Sequence, residues 1–125
     1  LTMGHDAIDI LQAAMEAVAY RFAEILERIE QVRPVMEIVA SGGALHGSPV
    51  WTHILADVLG RDLMLSSEPE ASLRGAVLLA LANTGKIEVT DRDSAFKNTK
   101  VTFHPKCHAI YKLARKRHQG VYEQT

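Results

Sequence analysis

The sequence holds a single cysteine, Cys107, so no disulfide can close within the chain. A lone thiol fits a reducing compartment, and a cytoplasmic location is expected. Long apolar runs are also missing. The longest, AVLLALA at 76–82, falls well short of the ~18 residues that a membrane span needs. Neither sign of charge dominates: 14 Lys and Arg stand against 15 Asp and Glu, a net charge of −1. That balance gives no global attraction to nucleic acid or to an anionic membrane. The first residues lack the basic-then-apolar pattern of a secretory signal. Residue 1 is Leu rather than Met, and a helical pattern starts almost at once. The chain is therefore expected to be a piece of a longer protein.

What is present reads as one domain. A chain of 125 residues can bury roughly two thirds of its unfolded surface. Residues 5–32 carry Ile8, Leu11, Met15, Val18, Phe22, Ile25 and Ile29 at alternating steps of three and four. This spacing predicts a helix with one apolar stripe turned to the core. A coiled-coil seam is the other use of the same spacing. Arg33-Pro34 ends the helix, because proline disfavours helical geometry in the residue before it. VMEIVA at 35–40 reads as a buried strand. Ser48 as N-cap and Pro49 at the first helical position open a second helix. Its inner face is Trp51, Ile54, Leu55, Val58 and Leu59, and Gly60 closes it. DLMLSS at 62–67 predicts a second strand. Ser67 or Glu68 with Pro69 opens a third helix, which stops at Gly85. Residues 86–103 are polar and aperiodic and read as a connecting loop, and Pro105 starts a last helix that runs to about Val121.

The order helix, strand, helix, strand, helix predicts parallel strands in an α/β layer structure. Two strands make a thin sheet for that architecture, in keeping with a chain that is part of something larger. The most informative stretch is IVASGGALHGSPVWTHILADVLG at 38–60. Gly42 and Gly43 sit where a strand ends, and without Cβ atoms their backbone can approach a ligand closely. The helix starting near Pro49 presents unpaired N–H groups suited to an anion. In open α/β sheets, ligands bind outside the carboxyl ends of the strands, where this loop lies. Yet SGGALHGS matches neither GxxxxGK[ST] nor GxGxxG, and no lysine is placed for phosphates. Spacing alone leaves a ligand site and a bare connection both open.

ASGGALHGSPVWTHILADVLGRDL resembles the nucleotide-side motif of the FGGY carbohydrate kinases, in which Gly-Gly-Ala, a Ser and W…Q/H-x-x-AD-x-x-G recur in that order. LT followed by DILQAAMEAVAY is similar to that family's C-terminal signature, whose leading glycine would fall just before Leu1. EASLRGAVLLALANTGKI resembles the Ala- and Gly-rich helix that follows, and FHPKCHAIYKLARKRHQGVYEQ resembles the family's tail. The likeness covers residues 1–87 well and is looser after 100. Leu45-His46-Gly47 departs from it by making the loop longer than usual. This longer form looks most like members acting on gluconate, then those acting on xylulose.

The resemblance implies a partial actin-like ATPase, or ribonuclease H-like, domain: residues 1–125 would be the C-terminal portion of the nucleotide-binding domain. It implies ATP and Mg²⁺ as cofactors, with Gly42, Gly43 and Ala44 against the nucleotide and Ser48 beside the adenine. The catalytic Asp, the magnesium ligands and most of the grip on a small carbohydrate would lie outside this chain, which alone is expected to be inactive. Cutting such a domain would leave apolar surface bare, so a homodimer through the first helix or an open strand edge is expected.

Other residues invite less. His104, Cys107 and His108 in HPKCH could suggest zinc. Pro105 starts a helix there and no second cluster follows, so no metal site is assigned. Lys106, Lys112, Arg115, Lys116 and Arg117 read as a solvated helix face rather than a nucleic-acid surface. Trp51 is expected in the core, and Gly75 against a close neighbour. Asp57 is given no chemistry beyond a local cap or pair, and His46 and His53 no catalytic partner. Two further readings stand beside the kinase. One is a non-enzymatic module dimerising through helix 5–32. The other is a different α/β enzyme using the turn for another phosphate-bearing ligand.

Overall fold

Asp6 starts the first helix. Its Oδ1 accepts the N–H groups of Ile8 and Asp9 at 2.9 and 3.0 Å, while Asp9 Oδ2 accepts the N–H of Asp6 at 3.1 Å. The open donors of the helix start are thus filled reciprocally. In the computed structural model, which describes residues 4–88 and 97–123, α1 spans Ala7–Val32. It ends where Arg33 turns extended ahead of Pro34. The chain continues through β1 (Val39–Ala40), α2 (Gly43–Gly47), α3 (Pro49–Leu59), β2 (Leu63–Leu65), α4 (Ala71–Asn83), β3 (Thr99–Val101) and α5 (Pro105–Glu123). Leu1-Thr2 of the family-like signature, residues 89–96 of the expected loop and the last two residues lie outside the described part. Among the described residues, no helix is long and apolar enough to cross a membrane.

The sheet has the order β1-β2-β3. β1 and β2 are parallel, with Val39 opposite Met64 and Ala40 opposite Leu65. The N–H groups of Met64 and Ser66 reach the carbonyls of Ile38 and Ala40 at 2.9 and 2.8 Å. Both strands are shorter than expected. The third strand corrects the sequence reading: β3 arises in the stretch read as loop and runs antiparallel to β2. Its residues, Thr99-Lys100-Val101, have no apolar alternation. A single ladder and an ion pair from Lys100 Nζ to Asp62 Oδ2 at 2.9 Å hold it at the edge. Lys100, and then the N–H of Phe103, hold the Asp62 carboxyl below the usual carboxylate range.

α3 is the centre of the core. Ile54, Leu55, Ala56 and Val58 are buried with Ala40 and the fully buried Leu63, against Ala19, Tyr20 and Ala23 of α1. Trp51 is half-buried and packs on this cluster rather than lying within it. The face that α1 buries is not the expected stripe. Ile8, Leu11, Val18, Phe22, Ile25 and Ile29 are all exposed, Ile8 at 71% and Phe22 at 49%, and Met15 alone of the seven packs inward. The buried row, Ala19, Tyr20 and Ala23, lies about a third of a turn round the helix. Its alanines let the α1 backbone come close to α3, which bulky stripe residues would prevent. α4 likewise buries none of its residues, and Gly75 meets nothing within 4 Å, so no neighbour explains it.

α5 is tied to both α1 and α3. Arg115 donates twice to Glu27 of α1, at 2.6 Å each, and this pairing holds the Glu27 carboxyl below its ordinary range. The Tyr111 hydroxyl donates to Glu16 Oε1 at 3.3 Å, and burial, followed by that carboxylate, pushes it up to about 12. Asp57 of α3 is only 7% exposed, and its Oδ1 accepts the His104 N–H at 2.6 Å as α5 begins. The Asp57 carbonyl lies 2.9 Å from His108 Nδ1. A carbonyl only accepts, so that nitrogen carries the proton.

Candidate functional site: the glycine turn after β1

β1 ends at the buried Ala40, and the chain reverses through Ser41 and Gly42. Gly42 has φ +115° and ψ 151°, a conformation that side-chain-bearing residues rarely adopt. α2, read from sequence as loop, follows at once. The N–H groups of Leu45 and His46 both bond to the Gly42 carbonyl at 3.2 Å. Gly43 and Ala44 take the first two helical positions, where N–H groups have no intrahelical acceptor. A Cβ on Gly42 or on Gly43 would meet nothing within 4 Å, and Ala44 is exposed. The structure therefore brings Gly42, Gly43 and Ala44 together on one turn, with the main chain open to an incoming group.

Ser48 is placed differently. It is half-buried, and its Oγ accepts the Trp51 N–H at 3.2 Å, so its hydroxyl caps α3. One donor expected to greet an anion is thereby filled. Thr52, buried, shares its hydroxyl proton between the carbonyls of Leu45 at 3.0 Å and Ser48 at 3.2 Å, which fastens α2 onto α3. Residues 41–48 contain no Asp, Glu, Lys or Arg. The turn can orient a bound group through its backbone, and its one ionisable side chain is His46. A cavity of about 320 Å³ between α1, α3 and α5, lined by Leu26, Glu30, Val58, Arg61, Lys112 and Lys116 among others, takes none of these walls from the turn.

Two residues to which the sequence assigned no chemistry prove to be specially placed. His46 Nε2 is shut away from water without a hydrogen-bond partner among the described residues. Asp57 interrupts the apolar face of α3 yet is buried, and a carboxylate within an otherwise apolar face was the available signal.

Comparison with known proteins places this geometry. Residues 1–84, which include the turn and all of α3, match the model of the FGGY family of carbohydrate kinases, C-terminal domain. A gluconokinase of Bacillus licheniformis is 33% identical over 93 residues, or 73% of this chain and 18% of the relative. A protein described as a probable L-xylulose kinase of Haemophilus influenzae is 31% identical over 86 residues, again 18% of its length. The chain thus spans under a fifth of these curated relatives. A crystal structure of xylulose kinase from Rhodospirillum rubrum superposes with a TM-score of 0.76 at 25% identity, covering 99% of this chain and 25% of that one. The architecture is part of the actin-like ATPase fold seen in such sugar kinases. With its glycine turn and helices α1 to α4 inside the matched region, the chain belongs to the FGGY family of carbohydrate kinases.

Proposed function

We infer that residues 1–125 are the C-terminal portion of the nucleotide-binding domain of an ATP-dependent carbohydrate kinase. The whole protein moves the γ-phosphate of ATP to a hydroxyl of a small sugar or sugar acid, gluconate before xylulose. The observation that carries this reading is the family match across the turn, joined to a backbone there that is open to a ligand. The preference for gluconate follows the two Bacillus gluconokinases, at 33% and 32% identity, against 31% and 30% for the two probable xylulose kinases. Phosphoryl transfer asks a protein mainly for positioning and charge stabilisation. Gly42, Gly43 and Ala44 supply positioning, with their backbone against the nucleotide. Ser48 shapes the adenine side by fixing the start of α3. Residues 41–48 hold no carboxylate, so Mg²⁺ arrives with ATP and is ligated by residues elsewhere.

Gly43→Val tests this on the intact kinase. The substituent meets open space in the fold but fills the room that a nucleotide needs. MgATP affinity is expected to fall at least about tenfold, which is ~1.4 kcal/mol, with thermal unfolding nearly unchanged. Unchanged affinity would remove the turn from the nucleotide site. The 125-residue chain by itself is expected to release no ADP with gluconate or xylulose.

A further inference from the structure

We propose that His53, Asp57, His104 and Cys107 form a binding site for a borderline divalent cation, Zn²⁺ above all, at the junction of α3 and α5. The sequence shows His104, Cys107 and His108 side by side. The fold changes that set: His108 turns to the Asp57 carbonyl at 2.9 Å, and Asp57 itself, some 50 positions earlier in the chain, joins His104 and Cys107. One ligand atom from each of these three lies within 4.8 Å of the others.

The spacing is what two helices need to grip an ion. His53 and Asp57 are four apart on α3, hence on one face. His104 and Cys107 are three apart across the start of α5, and the His53 and His104 rings lie with centroids 5.7 Å apart. His104 Nδ1 and Asp57 Oδ1 are 3.2 Å apart, close to the ~3.3 Å edge of a tetrahedron built on bonds of about 2.0 Å. Both recorded bonds of the Asp57 carboxylate fall on Oδ1, so its second oxygen can also turn to a cation.

The exposed His53 and the half-buried Cys107 have room to turn inward, whereas His104 and Asp57 are already held against each other. Since its sulfur lies within 4.8 Å of the other two ligand atoms, Cys107 has at most about 1.3 Å to close for a Zn–S bond of about 2.3 Å. One oxygen, two imidazole nitrogens and a thiolate suit zinc rather than magnesium or calcium. On binding, the Cys107 thiol proton passes to solvent, and His104 offers Nδ1 as a neutral imidazole that keeps its proton on Nε2. The ion would clamp the start of α5 onto α3.

Cobalt(II) reports on the site, since thiolate coordination gives a ligand-to-metal charge-transfer absorption and Cys107 is the chain's only thiol. Co²⁺ alone, added to the reduced protein, is expected to give this band at one equivalent, and Zn²⁺ to abolish it. Zn²⁺ should also raise the unfolding temperature. Cys107→Ala should lose the band, and His53→Ala or His104→Ala should weaken Zn²⁺ at least about tenfold. Because Asp57→Asn could unfold, the three milder variants carry the test, each first checked for unchanged unfolding in EDTA. Absence of the band in the unaltered protein, or Zn²⁺ affinity unchanged in Cys107→Ala, would overturn the proposal.

Discussion

Gly42 and Gly43 are adjacent but not interchangeable. Gly42 holds φ +115°, whereas Gly43 already lies in α2. Gly42→Ala should therefore cost ~1–3 kcal/mol of stability through backbone strain alone. Gly43→Ala should cost nothing, or add a few tenths of a kcal/mol, because the unfolded chain loses freedom and the folded one has room. Urea unfolding of the two variants decides this. Equal losses would mean that the turn is not strained as described. The sequence marked both glycines as a pair, yet only the backbone angle separates the one that shapes the turn from the one whose open side faces a ligand.

Among the elements, the pairing of α3 with α5 turns on Gly60. It ends α3 in the left-handed region with φ +64°, and a Cβ there would run into the His108 ring. That ring cannot move freely, since its Nδ1–H is bonded to the Asp57 carbonyl at 2.9 Å. Gly60→Ala should thus cost ~1 kcal/mol for the left-handed backbone and about as much again for the displaced hydrogen bond. In a His108→Ala background the second part should vanish, leaving a coupling of ~1 kcal/mol in a double-mutant cycle. Additive losses would show that the ring gives way without cost. The glycine was legible as a helix stop. Its partner was not, because His108 lies 48 positions further on and nothing local links the two.

For the whole molecule, the outstanding feature is apolar surface without cover. Ile8, Leu11, Phe22, Ile25 and Ile29 on α1 and Leu73, Val77 and Leu79 on α4 are exposed. Each such side chain, if fully buried, contributes ~1.5–3 kcal/mol, and contiguous patches of this kind mark surfaces that bind other protein. We expect this chain to associate at micromolar concentration, most simply as a two-fold dimer through α1. Static light scattering over a dilution series should show the mass falling toward that of a monomer. Phe22→Glu with Ile25→Lys should shift that fall to higher concentration. A monomer throughout, without uptake of a hydrophobic dye, would contradict this.

Local chemistry was enough for much of this protein. Ser48 with Pro49, Gly60 and Pro105 announced where helices start or stop, since caps and proline act within a few residues. The parallel β1–β2 pair followed from the crossover helix between them, and the motif around Gly42 and Gly43 pointed to the kinase family. Tertiary structure alone decided which face of α1 is buried. Periodicity says that a stripe is apolar, but burial depends on the surface offered, and α3 accepts the small side chains of Ala19 and Ala23. It likewise decided β3, whose polar residues pair only because β2 presents an edge, and it seated Asp57 beside His104 and Cys107. Contacts between residues far apart in the chain leave no local trace, so only the folded molecule reveals them.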